Sequence, residues 1–434
     1  MIRILWTEMR RGEAKWVAGL LALIGGTYFL SADPAESDWI GWWTQASIEV
    51  EIFAVMVMGP LMSTVAAWGA GRSQRYRTRA WTDTAARSVW TQTVVLWLAT
   101  WLWALLGYAL LAFIALQRTA SISAVTEPVW TPLILGAAMI GLETAAGVAA
   151  GSLSPSRIVA PVVGIIWYGL LVALAGNAGS RMSSLFPAID EHWDMSFLPN
   201  DSRLLTAAGW CLAAGLVLLS LPALLRRHAV RPRPYTLIPA VLAAAVAAGV
   251  LLDHRAPKVE LAWAVEAPQP DRPTCTTSGR TTACLWPQER HLMPQLRDAV
   301  KSVDSRLGPV PGLNRTFYER GLVPRGRGHT AELTVMSPGI TRDALTDDML
   351  AASLPAAPSQ CEPHLLKAIG DYPDTYFFEA VVRGRAGAPS EYMGEKFGAA
   401  VEEFRAASRP EQDRWIASAA DSIRDCRAVP PLPK

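Results

Sequence analysis

The chain has 434 residues, of which 51% are hydrophobic and 18% charged, with 18 Trp, a mean hydropathy of +0.20 and a formal net charge of +2. Soluble globular chains carry closer to ~25% charged residues, so the composition argues against an ordinary soluble protein. The average joins two unlike parts: residues 1–252 hold 17 of the 40 basic and 14 of the 38 acidic side chains, and the remaining 182 residues hold 23 and 24. The first part has the composition of a membrane protein. The second is that of a soluble domain whose balanced charge, without a basic stripe, argues against nucleic-acid binding.

In chain order, the opening MIRILWTEMRRGEAKW is amphipathic and basic and runs into an apolar stretch with no A-x-A site. No cleaved leader is therefore expected, and neither end carries a lipidation motif. Apolar runs able to cross ~30 Å of hydrocarbon, about 17–25 residues each, fall at 15–31, 48–70, 89–116, 131–152, 157–176, 204–225 and 235–252. The reading is a polytopic α-helical bundle of about seven spans: a six-helix domain over 1–226, a seventh helix in 227–252, and a domain over 253–434. With the N-terminus inside, the inner segments carry 14 Lys and Arg, and the outer loops carry 3, namely Arg118, Arg181 and Arg203. Basic residues concentrate on the cytoplasmic side. The N-terminus is expected inside the cell, and residues 253–434 outside its inner or plasma membrane.

The segment between the second and third spans, GAGRSQRYRTRAWTDTAARSVW, interleaves Arg72, Arg75, Arg77, Arg79 and Arg87 with Tyr76 and Trp81, and has a turn signal at Thr82, Asp83 and Thr84. Its length suits a short amphipathic helix at the membrane face that docks a cytoplasmic partner or anionic lipid. The same arginines also serve simply to fix topology. Pro60, inside the second span, frees a carbonyl and can kink the helix. Glu49 and Glu51 read as the outer end of that span, solvated at the interface. Glu143, in LILGAAMIGLETAAGVAAG, is the only acidic residue well inside a span. An ionisable group at that depth costs on the order of 3 kcal/mol and faces the bundle interior or water. Gly147 and Gly151 permit a close helix contact beside it, so Glu143 is either a structural polar clamp or a group on a transport path. Trp90, Trp97, Trp101 and Trp103, with Trp39, Trp42 and Trp43, read as interfacial anchors and lipid-facing bulk.

Of five cysteines, Cys211 lies in a span and reads as a small buried hydrophobe. Cys275, Cys284, Cys361 and Cys426 fall in the last part, an even number that suits an oxidising compartment. Four cysteines allow three connectivities. TCTTSGRTTACLW reads as two Thr-rich strands around a Ser278-Gly279 turn, which favours Cys275–Cys284 and leaves Cys361–Cys426 to join two helices. Four reduced thiols would require the opposite topology. The domain reads as α+β: after a linker at 253–273, a helix over 288–307 with Leu292, Leu296, Val300, Val303 and Leu307 on one face; a strand at 331–337; and helices near 341–354, 361–369, 374–386, 391–407 and 410–426, the last opened by Ser408 and Pro410. No HExxH, GxSxG, SxxK or zinc spacing occurs; Glu289, His291 and His329 are the nearest to a catalytic or metal cluster, and the polar start of a helix explains the first two. No GxxxxGK[ST] loop is present, so nucleotide hydrolysis would have to come from another chain, and this chain is not itself expected to be an enzyme.

The basic amphipathic opening, the Arg-rich segment between the second and third spans, and the outer loop between the fifth and sixth together resemble the membrane-spanning permease subunits of ABC-2 type transporters. The resemblance covers roughly residues 1–226. It implies an elbow helix at the N-terminus, a coupling helix over Arg75 to Thr84 that contacts a separate ATPase subunit, and an outer cap at SSLFPAIDEHW, 183–193. Carried over, Arg75, Arg77, Arg79, Trp81 and Asp83 are the coupling residues, ATP is held by the partner, this chain needs no cofactor, and two permeases work as a homo- or heterodimer. The seventh span and the outer domain depart from the six-span pattern. Ala- and Arg-rich usage with few Lys has the style of a high-GC bacterium. The competing class is a membrane-anchored sensor or scaffold whose outer domain binds a ligand or protein.

Overall fold

Among the residues that the computed structural model describes (2–34, 37–76, 89–123, 128–154, 156–175, 185, 195–225, 238–252, 263–268, 270, 273–322, 331–333, 335, 339–355, 367–369, 372–387 and 391–433), the long apolar runs are helices. A helix satisfies its own N–H and C=O groups, the condition for crossing hydrocarbon. The chain forms two units. One comprises Met1–Asp33, Trp39–Trp193 and Phe197–Glu266, and the other Pro34–Asp38, Asp194–Ser196 and Ala267–Lys434.

The first unit opens with α1 (Ile2–Arg11), an amphipathic helix with no buried residue that ends on Arg10 and Arg11. Then come α2 (Ala14–Ser31), α3 (Trp43–Phe53), a π-helical turn (Ala54–Met58), α4 (Gly59–Ala70) and the short α5 (Arg72–Arg75). These are followed by α6 (Val89–Ala120), α7 (Thr131–Leu153), α8 (Val159–Ala175), α9 (Asp201–Leu225) and α10 (Ile238–Leu252). Among the described residues five stretches are long and apolar enough to span a membrane: α2, the 33-residue run Trp43–Arg75, α6, α7 and α9. The apolar helices α8 and α10 have 17 and 15 residues. Two short strands, β1 (Phe197–Pro199) and β2 (Ala264–Glu266), pair antiparallel, so part of the stretch read as a linker is a strand.

Helix α7 is the centre of this unit. Its most apolar window is 78% buried, against 39% for α2, and it packs on α3, α4, α6, α8 and α9. Small residues let backbones approach closely where apolar side chains alone give no preference for protein over lipid. The π-helical turn has its own local cause. Gly59 N–H reaches back five residues to Ala54 O, and Pro60 has no N–H to offer the preceding turn.

In the second unit, β3 (Thr274–Ser278) and β4 (Thr281–Leu285) form a hairpin, and β4, β5 (Thr316–Glu319) and β6 (Ala331–Leu333) continue it in parallel, in the order β3-β4-β5-β6. The turn is Gly279-Arg280, one residue later than the sequence suggested. Gly279 has φ 55°, and a Cβ there would stand 2.1 Å from Asp304 Oδ2, so glycine is required twice over. Asp304 accepts from Arg280 N–H at 3.1 Å and from the Thr281 hydroxyl at 3.0 Å, tying the hairpin to α11 (Met293–Leu307), which follows a 3₁₀ turn at Pro287–Leu292. The predicted apolar face of this helix is buried as expected.

The remaining elements are α12 (Arg342–Ala352), β7 (Lys367–Ile369), β8 (Tyr372–Pro373), α13 (Asp374–Arg385), α14 (Glu391–Ala406) and α15 (Arg409–Arg424). The expected helix over 361–369 is corrected. Residues 367–369 are a strand paired with Tyr372–Pro373, because Gly370, Asp371 and Pro373 are turn formers that stop a helix; 361–366 lie outside the described residues. Trp415 knits the last helices together, its ring 5.1 Å from that of Phe404 and about 6 Å from those of Phe377 and Phe378.

Candidate functional site

The contact between α4 and α7 is built from a four-residue repeat on both helices. A Cβ added to Gly59 would lie 1.9 Å from Glu143 Oε2, one on Gly147 2.2 Å from the Ser63 carbonyl oxygen, and one on Gly151 2.1 Å from that of Ala67. Gly59, Ser63 and Ala67 thus meet Glu143, Gly147 and Gly151 in order, and the two helices run in the same direction. On the other side of α4, a Cβ on Gly164 of α8 would be 2.2 Å from Thr64 Oγ1. Helix α4 is therefore held closely on two flanks by glycines. The expected helix contact beside Glu143 is present, and its partner is α4.

Glu143 is fully buried. Among the described residues neither of its carboxylate oxygens has a hydrogen-bond partner. A second carboxylate lies in the same unit, and its placement corrects the sequence reading. Glu51, expected at a solvated outer end, is 0% exposed, because the helix begins at Trp43 rather than near residue 48. Its Cγ is 3.3 Å from where a Cβ on Gly136 of α7 would be, and the Tyr108 hydroxyl of α6 is 2.6 Å from that same point.

The tryptophans also need correcting. Trp97 and Trp101 stack at 4.9 Å, and their indole N–H groups donate to the α7 carbonyls of Gly141 at 2.9 Å and Ala137 at 3.0 Å. Trp103 donates to Met9 O at 3.0 Å, and Trp39 and Trp42 are buried. These rings join helices rather than face lipid, since an indole N–H in an apolar interior needs an acceptor. Cys211 is buried and free, with Sγ 3.2 Å from Met139 Sδ, as a small hydrophobe should be.

At the far end of α4 the Arg-rich segment begins. Arg72 pairs with Glu13 at 2.7 Å, and Gln74 donates to Ser152 O at 2.6 Å. Arg75 lies over the Trp68 ring at 4.1 Å and donates to the Trp68 carbonyl. The start of the segment is thereby fastened to the ends of α2 and α7. Arg77, Arg79, Trp81 and Asp83 lie outside the described residues, as does the segment 183–193, expected as an outer cap, apart from Leu185, whose carbonyl accepts from Trp210 at 2.7 Å.

In the second unit Cys275 and Cys284 face each other across the hairpin and form a disulfide. Cys426 is also disulfide-bonded; Cys361 lies outside the described residues. Glu289 is buried and His291 half-buried at the 3₁₀ turn, whereas His329 is outside the described residues. Among the described residues no three His, Cys, Asp or Glu side chains converge on a point that would hold a metal ion. No protein family, characterised protein or solved structure matches the chain.

Proposed function

We propose that the chain is the membrane subunit of an ATP-driven exporter of the ABC-2 type, with ATP bound and hydrolysed by a separate subunit. The observation that carries this reading is the order of elements in the first unit. An amphipathic α1 precedes the first spanning helix, and an Arg-rich segment that starts at α5 is fastened by Arg72, Gln74 and Arg75 to the ends of α2, α4 and α7. A force applied at that segment reaches the glycine-packed α4–α7 contact directly. On this reading α8 and α10 bring the spans to seven, the N-terminus is cytoplasmic, the second unit is outside the cell membrane, Cys361 pairs with Cys426, and two such subunits form a dimer. Nucleotide-dependent contacts at the coupling segment would shift the bundle between two arrangements.

The test is substitution of Arg75, Arg77 and Arg79 together by Ala, followed by co-purification with the ATPase subunit. Weakened association in a folded protein supports the coupling role, and unchanged association and transport reject it. A sensor or scaffold is the competing reading, favoured by a second unit large enough to have its own sheet and aromatic core. Ligand binding by the chain in cells where no ATPase partner is recovered would select it.

A further inference from the structure

Among the described residues of the helices packed on α7, the basic side chains are Arg118, in the last turn of α6, and Arg203, in the first turn of α9, where it lies over the Trp263 ring at 5.0 Å. Residues 43–71, 89–117, 131–153 and 159–175, which supply α3, α4, α6, α7 and α8, contain no Lys, Arg or His. The nearby hydrogen-bond donors are already engaged by backbone carbonyls. Ser63 donates to Pro60 O at 2.8 Å, Thr64 to Pro60 O at 3.1 Å, Thr144 to Ile140 O at 2.7 Å and Tyr108 to Leu133 O at 3.0 Å. Trp97 and Trp101 are spent on α7 itself. On its α4 side the carboxylate is in close contact, since even a methyl group on Gly59 would be 1.9 Å from Glu143 Oε2. An unpartnered ionised carboxylate in such a place carries a solvation penalty that packing does not offset. A proton neutralises such a carboxylate and needs no further room.

We infer that Glu143 is a proton-binding site of the bundle, held as the neutral acid while α4 and α7 are closed on each other and exchanging its proton with water only when they part. One carboxylate oxygen takes one proton from water on closing and returns it on opening, and no other reactant is needed. The titratable group that acts on the site is Glu51 of α3; Glu143 and Glu51 both act on Cys211 of α9, and Glu51 acts on Tyr108 of α6. Helix α4 carries no titratable side chain, and α8 carries only the exposed Tyr168. The π-helical turn between Glu51 and Gly59 supplies a place for movement, because a π turn and an α turn of the same residues differ in register by one. The inference stands on the bundle alone and does not depend on an ATPase partner.

The experiment is infrared spectroscopy of the full chain in vesicles of phosphatidylethanolamine and phosphatidylglycerol at neutral pH. Wild type should show the carbonyl-stretch band of a protonated carboxylic acid. Glu143→Gln should lose it, and Glu143→Asp, which keeps the acid, should shift it. A wild-type spectrum without such a band, or a band unaltered in both variants, overturns the proposal; the first of these needs no variant to fold.

Discussion

Gly147 and Gly151 set the distance between α4 and α7, because what they meet is backbone, which cannot rotate away. Gly151→Val should force the helices apart and lower stability by about 1–3 kcal/mol, the usual cost of overpacking. A lower unfolding temperature of the full chain in detergent would show it. Gly169 on α8 is the control: nothing lies within 4 Å of a Cβ there, so Gly169→Ala should be neutral or slightly stabilising. An equal loss at both positions would contradict the packing argument. Glu143, Gly147 and Gly151 were legible because a charge in an apolar run and a four-residue glycine spacing stand out in one dimension. The burial of Glu51 and the inward-facing tryptophans were not. Hydropathy reports what a residue is made of, whereas the choice between lipid and a neighbouring helix is made by packing between elements distant in sequence.

The hairpin and α15 are the elements whose stability rests on identifiable contacts. Breaking Cys275–Cys284 by changing both to Ala should cost about 2–3 kcal/mol on the loop-entropy account for so short a loop, read as a lower denaturation midpoint of the second unit within the full chain. No change would place the hairpin's stability in the Asp304 contacts instead. At the start of α15, Glu411 accepts from the Ser408 hydroxyl at 2.5 Å and from its backbone N–H at 3.0 Å. These two bonds, the hydroxyl's first, hold the Glu411 carboxyl below the usual glutamate range. A carboxyl lowered in the folded state contributes its stability above the ordinary range and loses it as pH falls through the lowered value. Circular dichroism on acidification should therefore show helix loss in wild type that is reduced in Glu411→Gln; identical acid curves would remove the cap from the account. Cap residues and the hairpin pattern could be read from the sequence, since both are local. The parallel pairing of β4 with β5 could not, being a contact between strands separated by a helix. The strand at 367–369 is too short to carry a period of its own, so the sequence there does not distinguish it from a helix.

At the level of the assembled protein, charge asymmetry and cysteine placement suggest a membrane part and an outer part; the chain forms two units, the second made mainly of Ala267–Lys434 with Pro34–Asp38 and Asp194–Ser196. Their function rests on arrangement more than on any motif. The most direct test is purification of the full chain from its native membrane in a gentle detergent, followed by mass spectrometry of what accompanies it. The proposed function predicts a separate ATP-binding subunit in near-stoichiometric amount. Repeated recovery of the folded chain with no ATP-binding subunit would contradict it.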